Sequence, residues 1–312
     1  MSEPTTVYPV GRTDVGKRLD RFLQEKIPRL SRNRIQEMIR DRVVLSWDAR
    51  VRPATVLVPG GVVRIEYVPL PETLLEQEIP VLMRGDGWLA VDKPAGIPVH
   101  PVNTVRENTV IRMLRRQEGC EDLRLAHRLD RETSGVLLVA DNPDTARTLS
   151  LAFENREAGK EYVAVVRGVL GEDRGTIDLP VGKACNSEVF VRQAAGAGAP
   201  SETVWQVEAR GPGATLLRLF PRTGRRHQIR VHLEAIGFPV LGDLLYGRPD
   251  QDYLDLVSGL RDPRKEEGGP DRQLLHCARL RIESVAGGLD CSSPVPDLFH
   301  QCLQRVSPSN WL

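Results

Sequence analysis

The sequence predicts an α+β protein with a mixed or antiparallel sheet, in which a small basic unit precedes a larger one. Three observations carry this. Strand-like and helix-like segments follow one another without regular alternation. The run Gly135-Val-Leu-Leu-Val-Ala140 is continuous, branched and too short for a helix, and it stops at Asp141-Asn142-Pro143, as a strand buried on both faces does. Finally, Pro69, Pro71 and Pro80 bracket an acidic segment, Glu72-Thr-Leu-Leu-Glu-Gln-Glu-Ile, that suits a linker better than a core element. The expected division is therefore 14–68, a linker over 69–80, and 81–312.

In the first unit, Leu19, Phe22 and Leu23 recur at helical spacing between about Lys17 and Lys26. Ser31 is placed to cap a second helix whose apolar stripe is Ile35, Met38 and Ile39, with Arg32, Arg34 and Arg40 around it. Val43–Trp47 and Val62–Tyr67 read as short strands on either side of Pro59-Gly60-Gly61. In the second unit, strands are expected at Trp88–Asp92, Glu161–Arg167, Glu202–Glu208 and Ala214–Phe220. Helices are expected at about 105–117, at Pro143–Arg156 with Asn142 as cap, and at Arg226–Ile236 before the stop Gly237-Phe-Pro239. The Ala/Gly run Ala194–Pro200 reads as a flexible loop, and Arg248–Arg272, charged and poor in apolar residues, as a second loop.

Composition narrows the function. With 40% hydrophobic and 27% charged residues the chain is that of an ordinary soluble protein. No apolar run approaches the ~18 residues that span a bilayer. Met1-Ser-Glu-Pro-Thr has an acid and a proline where a signal peptide needs basic and then apolar residues, so a cytoplasmic location is expected. The five cysteines are widely spaced and form no C-x-x-C pair, and His227 and His232, five apart, do not match a helical metal-binding spacing. Neither a disulfide framework nor a metal site is indicated. The net charge of +1 hides an asymmetry: between Gly16 and Arg52 eleven Lys or Arg face five acids, a local +6 that leaves −5 for the rest. Positive charge gathered on one small unit is the footprint of phosphate-backbone binding.

The stretch Ala126-His-Arg-Leu-Asp-Arg-Glu-Thr-Ser-Gly135 packs a histidine, two arginines, two acids and two hydroxyls ahead of the buried strand, a placement that suits catalytic groups and also fits a solvated turn. The run His127-Arg128-Leu129-Asp130, then Thr133-Ser134-Gly135-Val136-Leu137-Leu138, resembles the signature of the RluA-type pseudouridine synthases, whose aspartate is catalytic. Three further segments resemble the same family in the same order: Leu89-Ala-Val-Asp-Lys-Pro-Ala-Gly-Ile-Pro-Val-His-Pro101, Lys160-Glu-Tyr-Val-Ala164, and Thr223-Gly-Arg-Arg-His-Gln-Ile-Arg-Val-His232 continuing to Gly242-Asp243 and Tyr246-Gly247. At the C-terminus Ser284-Val285 replaces the family's His-Pro, and only Ser293-Pro294-Val295-Pro296 is similar to its usual ending. Gly16-Lys-Arg-Leu-Asp-Arg-Phe-Leu and Ser31-Arg-Asn-Arg-Ile resemble the S4 RNA-binding domain, which makes Lys17, Arg18, Arg32, Arg34 and Arg40 candidate phosphate ligands.

The resemblance implies an isomerase that converts uridine to pseudouridine in structured RNA without a cofactor. Large-subunit (23S) ribosomal RNA is expected before transfer RNA, with no membrane, no nucleotide cofactor and a monomeric protein. Asp130 would be the catalytic carboxylate, Arg230 its partner and Tyr162 the ring beneath a flipped base, with Arg128, Leu129, His127 and Arg225 as RNA contacts. Two other readings remain open. A non-catalytic RNA-binding or ribosome-assembly factor would use the same basic unit but gives no reason for Asp130, Tyr162 and Arg230 together. A hydrolase built on His127, Asp130 and Ser134 would want a G-x-S-x-G elbow, and neither that nor a phosphate loop nor H-E-x-x-H occurs.

Overall fold

A computed structural model describes residues 5–28, 30–66, 72–102, 105–266, 268–284 and 288–306. Arg29, Tyr67, Pro69, Pro71 and Val285, which figure in the expectations above, lie outside these. The chain divides into Met1–Pro71 and Glu72–Leu312.

In the first unit, β1 (Thr5–Pro9), α1 (Leu19–Lys26), α2 (Arg32–Arg42), β2 (Val43–Leu45) and β3 (Val62–Glu66) follow in order. The strands form an antiparallel sheet in the order β1-β3-β2. Leu19, Phe22 and Leu23 of α1 and Ile35 and Ile39 of α2 are fully buried with Val63, so the two apolar stripes meet over the sheet. Ser31 caps α2 by accepting the Arg34 N–H at 3.4 Å.

The second unit contains β4 (Val81–Gly85), β5 (Trp88–Lys93), α3 (Val110–Glu118), β6 (Arg124–Leu125), β7 (Ser134–Ala140), α4 (Pro143–Glu154), β8 (Gly159–Arg167), β9 (Arg174–Asp178), β10 (Val181–Lys183), β11 (Gln193–Ala195), β12 (Glu202–Arg210) and β13 (Ala214–Pro221). They are followed by α5 (Gln228–Ala235), α6 (Asp250–Ser258), α7 (Pro263–Glu266), β14 (Leu275–Ile282), β15 (Leu289–Ser292) and α8 (Asp297–Arg305). The main sheet runs β4-β5-β7-β14-β8-β13-β12-β9, with β15 beside β14 and β6 beside β7. Within it β7 and β14 pair in parallel and the other pairings are antiparallel, so the sheet is mixed, as the missing βαβ rhythm implied. All seven residues of β7 are buried, which is why its sequence shows no polar alternation. At its entry Gly135 has φ +106°, and a Cβ there would run into the carbonyl of Cys277 on β14.

Several elements differ from the expectations, each for a physical reason. The Glu72 carboxylate accepts the backbone N–H groups of Arg106, Glu107 and Asn108 at 2.8–2.9 Å, which holds that stretch in turns and delays α3 to Val110. The same bonds, with Ile79 N–H to Gln117 at 3.0 Å, tie Glu72–Pro80 to the second unit, so it is docked chain and not a free spacer. The Ala/Gly run is paired: Val181 and Ala199 exchange backbone hydrogen bonds at 3.0 Å, and Gly198, at φ +113°, leaves room for that approach. Arg248–Arg272 contains α6 and α7, held by ion pairs such as Arg261–Asp255 at 2.7 Å, which apolar periodicity does not register.

Candidate active site

The loop between β6 and β7 carries Asp130, β8 carries Tyr162 and α5 carries Arg230. All three line one cleft of about 610 Å³. The loop is fixed from beneath by Lys93, fully buried on β5, whose ammonium donates to the carbonyls of Pro94, Arg131 and Thr133 at 2.7–2.9 Å. Burial, with Arg272 nearby, lowers the Lys93 pKa to about 7, while three carbonyl acceptors favour its charged form. A rigid strand and a satisfied buried cation thus present Asp130 at a defined place.

Arg230 donates through Nη1 to Asp130 Oδ2 at 2.9 Å and, through Nε and Nη2, to both oxygens of Asp243 at 2.6 and 2.8 Å. Asp243 is wholly buried and also accepts the N–H groups of Leu245 and Tyr246 at 2.8 and 3.1 Å. The Tyr246 ring lies beneath the guanidinium, 4.8 Å from its carbon. Asp243 therefore orients Arg230, which has one edge left for Asp130. The Asp130 side chain keeps 21% of its surface, facing the cleft. Burial pushes its pKa up, but charge on His227 and Arg230 and the hydrogen bond from Arg230 outweigh that and hold it below 3.8. Because burial depresses His227 itself to about 4, that ring is neutral near pH 7, and Arg230 keeps Asp130 ionised.

Tyr162 is half-buried, opposite Cys277 of β14 and Leu219 of β13 in the sheet. Burial and the nearby Cys277 thiol raise its pKa well above 10, so the hydroxyl keeps its proton. Around the mouth, Arg128, Arg156, Lys160, Arg222, Arg225 and Arg226 join Arg230 against Asp130 and Glu154, so the lining carries seven cations and two acids. Lys160, lowered to about 8 by burial, donates to the Thr223 carbonyl at 3.0 Å and joins β8 to the arginine-rich segment before α5.

Other expected residues are placed differently. Arg128 and Arg225 are exposed on the cleft, and Leu129 is buried in its wall. His127 is turned inward: its Nε2 accepts the Leu138 N–H at 3.0 Å and its ring stacks on Phe153 at 4.5 Å, with burial lowering its pKa to about 3. It pins the loop to β7 from the cleft wall, which it lines beside Phe153. Ser134 bonds to His276 Nδ1 and Arg272, each at 2.8 Å, and is buried, which removes the His127–Asp130–Ser134 hydrolase arrangement. In the first unit Arg32, Arg34 and Arg40 are exposed, while Lys17 is paired with Asp14 and Glu25 at 2.9 and 2.7 Å and Arg18 with Asp20 at 2.7 Å. Among the described residues no group of three or more metal-ligating side chains is gathered.

Asp243 and His227 lay inside the third motif without an assigned role. A buried arginine on an apolar stripe was the available signal for the first, since such a cation requires carboxylates on more than one edge. His227 gives no sequence signal beyond its motif, because its importance comes from a left-handed backbone conformation, φ 55° and ψ 16°.

A mixed sheet whose β6–β7 loop presents an arginine-held carboxylate in a cleft lined by cations suits an enzyme that acts on a polyanion. Residues 87–235 match the family model described as RNA pseudouridylate synthase. The chain belongs to this family and is an RNA pseudouridine synthase, an isomerase. It is 33% identical over 290 residues to ribosomal large subunit pseudouridine synthase C of Haemophilus ducreyi, covering 88% of this chain and 87% of that protein. It is 31% identical over 315 residues to the synthase C of Escherichia coli K12, covering 96% of each. Among solved structures it resembles human RNA pseudouridylate synthase domain containing 1, with TM-score 0.59 and 29% identity over 72% of this chain and 86% of that one.

Proposed function

We propose that this enzyme isomerises specific uridines of large-subunit ribosomal RNA, with Asp130 as the catalytic carboxylate. The observation that carries the reading is the Asp130–Arg230 pair at 2.9 Å, with the carboxylate open to the cleft and held in its ionised form. Isomerisation breaks the bond from ribose C1′ to uracil N1 and remakes it to C5, so it requires a nucleophile or base beside that bond and neither redox chemistry nor a phosphate donor. Arg230 keeps Asp130 charged, and Tyr162 offers a ring for the flipped base to rest on. Arg128 fills the gap the base leaves, and Arg225 with its neighbours binds the flanking phosphates. Extruding the base costs a few kcal/mol, which phosphate contacts offset.

In the same reading Met1–Pro71 is an S4-type RNA-binding unit that sets the register of the RNA through Arg32, Arg34 and Arg40. Lys17 exchanges its exposed partner Glu25 for a phosphate, since exposed ion pairs contribute little, and keeps the buried Asp14, as Arg18 keeps the buried Asp20. The protein acts as a monomer in the cytoplasm and uses no cofactor. Large-subunit RNA is preferred over transfer RNA because the relatives that match nearly the whole chain bear that name. The test uses unmodified transcripts of large-subunit ribosomal RNA and of transfer RNA, each tritiated at uracil C5. Isomerisation exchanges that hydrogen, so the label should be released from the ribosomal transcript. Release from transfer RNA alone would reject the substrate assignment.

A further inference from the structure

His227 is one of two described non-glycine residues with positive φ, at 55°, and it lies immediately before α5 on the wall of the cleft. A side chain in that backbone conformation is held there by its surroundings, and such residues gather at functional sites. Its surroundings also fix its proton. The Tyr246 hydroxyl oxygen accepts the Gln193 N–H at 3.0 Å, so its own proton is directed to His227 Nδ1, 2.8 Å away. The rings meet edge to face at 83°. With Nδ1 as acceptor, the neutral imidazole carries its hydrogen on Nε2.

Asp130 Oδ1 lies 3.8 Å from that nitrogen, beyond a hydrogen bond. The His227 side chain retains 9% of its surface, at the cleft. A fixed donor beside the reactive carboxylate, with no acceptor of its own among the described residues, has the form of an electrostatic stabiliser aimed at a substrate atom. Building on the proposed function, we infer that His227 is a further catalytic residue, whose Nε2–H donates to an oxygen flanking the N1–C1′ bond of the target nucleotide. Ribose O4′ becomes electron-poor as that bond breaks and is a poor acceptor, which leaves uracil O2 and ribose O2′. The first gains negative charge when the base departs, and the second sits on C2′, beside the carbon that the base leaves. The donor keeps its proton throughout, because a neutral imidazole that gave it up would become an anion.

Burial with the nearby Arg230 and Arg226 charges disfavours the imidazolium, and Asp130 and Asp243 favour it; the net result lowers His227 to about 4. The donor is therefore unchanged from about pH 5 upward, and its contribution should not titrate over the working range.

The experiment measures single-turnover rates on a large-subunit RNA fragment that contains a uridine converted by the wild-type protein, and on the same fragment with 2-thiouridine or 2′-deoxyuridine at that position. His227→Asn suits the left-handed backbone and removes the imidazole. It should lower the uridine rate about 100-fold while leaving the Kd for the fragment within about threefold. The wild-type preference for uridine over one of the two analogues should collapse in the variant, and that analogue identifies the accepting oxygen. Tyr246→Phe retains the ring beneath Arg230 and loses the proton that sets the tautomer, so it should reduce both rate and preference in the same direction. Unchanged rate and preference in that variant would overturn the tautomer assignment. Retention of both analogue preferences in His227→Asn, with or without an upward move of the acid limb of the rate profile, would overturn the role of His227. A wild-type protein that converts no uridine would instead refute the proposed function itself.

Discussion

Replacing Arg230 by methionine removes the cation shared by Asp130 and Asp243, and the two carboxylates respond differently. Asp243 is wholly buried, so the variant leaves a charge without its partner and should lose about 3–5 kcal/mol of stability, or about 6–20 °C in Tm for a unit of this size. Asp130 faces the cleft and loses a charge that, about 4 Å away at an effective dielectric near 20, interacts by about 4 kcal/mol. Solvent at its open 21% screens part of this, so the acid limb of kcat/KM should move upward by about one to two pH units. The sign follows from the wild-type direction: Asp130 is held below 3.8, the ionised form is the working one, and activity is lost as pH falls through its pKa. Adding Asp243→Asn to Arg230→Met separates the effects. The double variant should regain most of the Tm, because the buried charge is gone, yet keep the displaced acid limb. The assay is thermal unfolding together with tritium release between pH 3 and 9, a range that reaches below the wild-type acid limb. A double variant that recovers the wild-type acid limb would refute the account of Arg230.

Other variants test the remaining roles. Asp130→Asn should lower turnover by several orders of magnitude with RNA affinity within a few fold, and residual activity within tenfold of wild type, measured by tritium release, would reject the assignment. Tyr162→Phe keeps the ring and loses the hydroxyl, so RNA binding by filter retention should survive, and a lower single-turnover rate would locate a role in that hydroxyl. Deleting residues 1–71 should flatten the log-log salt dependence of RNA binding by about three to five, if four to six phosphates are neutralised at about 0.7–0.9 each, while turnover at saturating RNA persists. An unchanged slope would mean that the cations of Gly16–Arg52 form a solvated surface.

The parts that were legible in the sequence are those whose causes are local. The Gly135–Ala140 run declares a strand buried on both faces because it contains no polar residue to alternate with the apolar ones, and Ser31 and Asn142 mark helix starts because a cap is a contact over three residues. Asp130, Tyr162 and Arg230 were legible through ordered motifs, and they converge on one cleft. What could not be read depends on contacts distant in sequence. Glu72 shortens α3 from more than 30 residues away, and the inward turn of His127 depends on the Leu138 N–H and the Phe153 ring. The helices within Arg248–Arg272 are held by ion pairs, which leave no apolar period to find.

The most direct test of the central claim maps pseudouridine in all stable RNAs of cells lacking this protein, before and after restoring it as wild type or as Asp130→Asn. The account predicts that one or more positions in large-subunit ribosomal RNA lose pseudouridine, return with the wild-type chain and stay absent with the variant. An unchanged map, or full restoration by Asp130→Asn, would contradict it.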